Sequence, residues 1–156
     1  MSRPHHPLEL ERIAADLSEA CALLSATLVR TATRENPSSD EIDVEARLYA
    51  AAVVVWSLRR PETPPDAEPL LDVWLANYLA DMHPEDRAIF LRALDNRVAH
   101  YVVLWEAGGD WALNAARFLD VNMRIKADAA TLAALAAAAA TGRDGIDQFV
   151  QSAFRA

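Results

Sequence analysis

Apolar residues recur along this chain at intervals of three and four, and hardly anywhere at intervals of two. Leu10, Ile13, Leu17, Cys21, Leu24 and Leu28 form one such stripe, with Glu9, Arg12, Asp16 and Glu19 on the wet side. The spacing predicts an amphipathic helix over about residues 8–34. Asn36-Pro37-Ser38-Ser39 is a turn signal, and Ser39 or Asp40 can cap a second helix over residues 41–60. That helix opens on acids and closes on Arg59-Arg60, an order that complements its dipole. Its middle, residues 48–58, is apolar nearly all round, the pattern of a helix enclosed by others.

Pro61 stops the second helix, and residues 61–65 carry three prolines and read as a stiff connector. A third helix, residues 67–82, uses Leu71, Trp74, Tyr78 and Met82 as its inner face and ends at His83-Pro84. Pro84-Glu85-Asp86 opens a fourth, whose inner row is Phe90, Leu94, Val98, Tyr101 and Trp105 and whose stop is Gly108-Gly109. Asp110 caps a fifth helix over 111–123, and Asp128 precedes a sixth over 129–140, nearly all alanine and leucine. Asp144 precedes a seventh over 146–154. Val53-Val54-Val55 is the only β-branched run, and it lies inside a helical segment, so no strand is expected.

These elements predict an all-α, single-domain bundle of five to seven helices, mainly antiparallel, with the second and fourth at its centre. The domain spans residues 1–156, a length ordinary for one domain, with residues 1–7 as a flexible tail. The longest apolar run, residues 48–56, is far short of the ~20 residues a membrane span needs. The first dozen residues have no apolar core of a secretory signal, and the single cysteine excludes an intrachain disulfide. A cytoplasmic protein without membrane contact is the expectation.

Catalytic signatures are missing. No histidine follows a glutamate by three residues, and neither His83 nor His100 has a metal-binding partner one turn away. His5-His6 reads as part of the tail, and one cysteine cannot build a zinc cluster. No Gly-rich phosphate loop or Gly-x-Ser-x-Gly elbow occurs. No cofactor and no metal are expected. Cys21, on the inner stripe of the first helix, reads as a buried, inert thiol, and Trp56, Trp74, Trp105 and Trp111 read mainly as core.

The net charge of −8 is unevenly spread. Residues 35–86 hold twelve acids and three bases, Arg47, Arg59 and Arg60, so the rest of the chain sums to +1. With the second to fourth helices running up and down, Glu35, Asp40, Glu41, Asp43 and Glu45 would share one end of the bundle with Asp81, Glu85 and Asp86. Acids also stabilise helix N-termini, which accounts for several of these positions. The absence of compensating lysines favours a docking face for a basic protein, and such a face repels nucleic acid.

Arg92, Asn96 and His100 are spaced four apart and line one side of the fourth helix. A surface helix needs such a polar stripe; the alternative is an inward site for a polar ligand. Asp95-Asn96-Arg97-Val98-Ala99-His100 resembles the Arg-polar-x-x-x-His motif of the HEPN family of helical ribonucleases and toxin components. Asp95 holds the family's arginine position. The resemblance implies an all-α fold, with His100 carried over from the family's functional pair and Asn96 in the adjacent polar position. The first expectation is a non-enzymatic binding module docking a basic partner, as an immunity protein, antitoxin-like inhibitor or adaptor does. The second is a hydrolase or ligand-binding enzyme using Arg92, Asn96 and His100, and the third a structural subunit of a homodimer.

Overall fold

The computed structural model describes residues 6–154, and six helices account for most of them. They are α1 (Pro7–Ala32), α2 (Asp40–Leu58), α3 (Glu68–Tyr78), α4 (Pro84–Glu106), α5 (Trp111–Met123) and α6 (Ala129–Phe154), with a 3₁₀ turn at Pro65–Ala67. Among the described residues there is no strand. The chain is an all-α, single-domain helical bundle. No helix among the described residues is long and apolar enough to cross a membrane.

Side-chain pairs fix the helix directions. Glu45, Tyr49 and Trp56 of α2 meet Arg97, Tyr101 and Trp105 of α4 in the same order, so these two helices run parallel. Tyr49 donates to the Ala139 carbonyl (2.8 Å) and Ser57 to Asp147 (2.6 Å), which sets α6 parallel to α2 as well. Asn122 and Phe118 of α5 meet Arg97 and Tyr101 in reverse order. Ile13 of α1 lies by Phe149 of α6 and Thr31 by Thr131, and Tyr78 of α3 lies by Arg47 of α2 and Leu71 by Leu58, so α1, α3 and α5 run against α2, α4 and α6.

The core forms around α2, which touches all five other helices. Ala46 and every residue from Leu48 to Val55 are buried there, and the alanines let neighbouring backbones come close. α4 is not central, contrary to expectation. It packs chiefly on α2 and α5, because its many charges allow only one side to be enclosed.

Three other boundaries differ from the sequence reading. The tail is ordered from His6, whose Nδ1 accepts the Leu8 N–H (3.2 Å) while Glu9 accepts the His6 N–H (3.4 Å), a capping box for α1. His5 lies outside the described residues. α3 stops at Tyr78 rather than residue 82, and it buries Leu70 and Trp74 while Leu71 is half-buried. Arg87 closes the corner after it, donating to the carbonyls of Met82 (2.8 Å) and Ala80 (3.1 Å). The two C-terminal helices expected on either side of Gly142 are one, α6. A Cβ at Gly142 would stand 2.2 Å from Leu24 Cδ1, so this glycine permits close contact with α1 and does not end a helix.

The end of the bundle where α2 finishes is locked by aromatic and ionic contacts. The Arg143 guanidinium lies 3.7 Å from the Trp111 ring centroid and 5.1 Å from Trp56. Arg60 covers Trp56 from 4.9 Å and pairs with Asp147. Gln151 donates to Thr63 (2.8 Å), which fastens the proline-rich connector to α6.

Candidate protein-docking site

Ser39 caps α2 by accepting the Ile42 N–H (3.3 Å), and this exposes Asp40, Glu41 and Asp43 in the first turn. Their negative charge suits the positive end of the helix dipole. Among the described residues none of the three has an ion-pair partner. Asp40 and Glu41 form one wall of a cleft of about 530 Å³ between the start of α2, the middle of α4 and the end of α5. Val44 and Val121 line the same cleft and are 47% and 72% exposed. Arg124 closes its far side from the C-cap of α5, in a left-handed conformation (φ 55°) that only a few per cent of non-glycine residues adopt.

The floor of the cleft is an ion pair between a buried acid and a half-buried arginine. Glu45, expected on the acidic face with the others, is only 5% exposed and accepts from Arg97 Nε (2.9 Å) and Nη2. Arg97 also donates to the side chains of Asn96 (2.8 Å) and Asn122 (3.2 Å), and Asn122 is held in turn by the Phe118 carbonyl (2.8 Å). The hydrogen bonds Arg97 donates to Glu45 outweigh burial and raise the Arg97 pKa further, so the guanidinium stays charged. Glu45 thus carries no spare charge for a partner.

The remaining acids lie outside the lining of this cleft. Asp81, Glu85 and Asp86 are exposed at the corner between α3 and α4. Arg47 of α2 faces the rings that flank this corner, 5.6 Å from Tyr78 and 5.8 Å from Phe90. Glu35 is exposed beyond the end of α1, in a small hollow with Arg34, Asp128 and Thr131.

Arg92, Asn96 and His100 are all exposed on the outer side of α4, away from Phe90, Leu94, Tyr101 and Trp105. His100 Nδ1 lies 3.1 Å from the Asn96 carbonyl, and the imidazole stacks on Phe118 at 5.1 Å. Asp95 is exposed beside them. Cys21 is fully buried, and burial pushes its thiol far above the ordinary range, which leaves it unreactive. No protein-family model matches this chain, and no curated protein or solved structure does either.

Proposed function

We propose that this protein is a non-enzymatic docking module whose acidic face, centred on the first turn of α2, receives a basic segment of a partner protein. The observation that carries this reading is the cleft itself. Unpaired carboxylates of Asp40 and Glu41 stand beside the uncovered Val44 and Val121, over a rigid floor made by Glu45 and Arg97. Carboxylates steer a basic partner and set its register, while the valines offer apolar area to seat it. Inhibition or adaptor roles suit such a surface, because both need recognition without turnover.

The enzyme alternative would use Arg92, Asn96 and His100. Their exposure on a convex helix side gives a substrate no enclosure from water, so the docking reading is preferred. A nuclear magnetic resonance titration with a synthetic amphipathic peptide rich in lysine and leucine tests the site. Amide shifts are expected to cluster on residues 40–45 and 121–124. Shifts centred on Arg92, Asn96 and His100 would move the site to α4 and end the docking reading.

A further inference from the structure

α4 leaves its outer side uncovered along its whole length. There Ile89, Arg92, Asn96, Ala99, His100 and Val103 are exposed, and the two large apolar side chains are 64% (Ile89) and 67% (Val103) exposed. Their order is symmetric about Asn96. Ile89 and Val103 stand seven residues before and after it, and Arg92 and His100 stand four before and after it. Seven residues make about two helical turns and four make about one, so all five share one stripe.

We propose that this stripe is a self-association surface, on which α4 pairs antiparallel with α4 of a second copy about a two-fold axis at Asn96. Such an axis sets Ile89 against Val103 of the second copy at both ends of the contact. Asn96 meets its own counterpart: its Oδ1 accepts from Arg97 and keeps a second lone pair, which the amide N–H of the other copy's Asn96 can reach. Arg92 meets His100. Because the Asn96 carbonyl can only accept, His100 Nδ1 donates to it, and Nε2 is the nitrogen left to face the arginine.

Every position therefore finds a complement: apolar against apolar, donor against acceptor. A parallel pairing would set Arg92 on Arg92 and lose that match. A lone polar amide in a helix pair also fixes register at some cost in stability. The contact is narrow, one helix of 23 residues from each copy, so it belongs to the weak, concentration-dependent class. It uses a different side of α4 from the acidic cleft and touches it only where Asn96 accepts from Arg97.

Sedimentation velocity from micromolar to near-millimolar protein tests the pairing. A monomer–dimer equilibrium is expected. Asn96→Asp, which places two carboxylates on the axis, should weaken it about tenfold or more, and His100→Glu, which gives Arg92 an opposite charge, should tighten it about tenfold. Asn96→Cys should form an intermolecular disulfide under mild oxidation, since the other cysteine, Cys21, is buried. Thermal melts confirm that each variant is folded, and Ile89→Lys, at a mostly exposed position, replaces any that is not and should weaken the dimer in the same way. A monomer at all concentrations, or a dimer indifferent to these changes, overturns the proposal.

Discussion

Removing either Glu45 or Arg97 leaves the other charge under the cleft without its counter-ion. Glu45→Ala is expected to cost about 1–3 kcal/mol in urea melts, since the Arg97 left behind is half-buried and keeps its bonds to Asn96 and Asn122, and the double replacement Glu45→Leu with Arg97→Met to recover most of that loss. A double variant as unstable as the single one would mean the two residues do not act as a pair. The glycines of α6 give a second contrast. Gly142→Ala forces Leu24, itself buried, to move, and is expected to destabilise by about 1–3 kcal/mol less the helix propensity gained. Nothing lies within 4 Å of a Cβ at Gly145, so Gly145→Ala should stabilise by about 0.5–1 kcal/mol. Both differences are readable in the same denaturant series. The sequence reading places Glu45 on the exposed acidic face, whereas it falls on the buried stripe of Ile42, Ala46 and Tyr49. An acid in that position needs a partner, but which base supplies it depends on how α2 and α4 align, and no local pattern encodes that alignment.

Helix starts were the most legible elements, because caps are chemical signals confined to a few residues. Ser39 and Asp128 act where the sequence places them, Asp128 accepting the Thr131 N–H at 2.8 Å, whereas Asp110, expected to cap α5, makes no side-chain cap there. Ser39→Ala is expected to cost about 1 kcal/mol in thermal or urea melts. At Asp128 the Thr131 hydrogen bonds hold the carboxyl below its ordinary range. A depressed folded pKa means that this cap helps stability above the unfolded value near 3.9 and loses its effect as pH falls through the lower folded value. Asp128→Asn, still a good cap, should therefore flatten the fall in melting temperature below about pH 4 and change little at neutral pH. An unchanged acid profile would remove Asp128 from the acid response. Helix ends were less legible. Gly142 has the local chemistry of a stop, yet close packing against α1 decides its role. The corner after α3 depends on Arg87 reaching back to Ala80 and Met82, a contact that periodicity does not reveal.

The up-and-down course of the whole bundle followed from its short connections, and the buried character of α2 from its unbroken apolar middle. The peripheral place of α4 did not, because its inner row of Phe90, Leu94, Tyr101 and Trp105 resembles that of an enclosed helix. Charge was legible as a total, but not the loss of Glu45 from the surface, because it is buried against Arg97. The central claim is that the carboxylates of the α2 cleft, and not net charge, capture a basic partner. The measurement that tests it most directly is the stopped-flow association rate of the basic amphipathic peptide with two double variants at low and physiological salt. Asp40→Lys with Glu41→Lys is expected to slow association at least about tenfold and to flatten its salt dependence. Glu11→Lys with Glu19→Lys, exposed on α1 and equal in charge change, should slow it less than about twofold. Equal slowing by both pairs would contradict the account, because net charge alone would then govern capture.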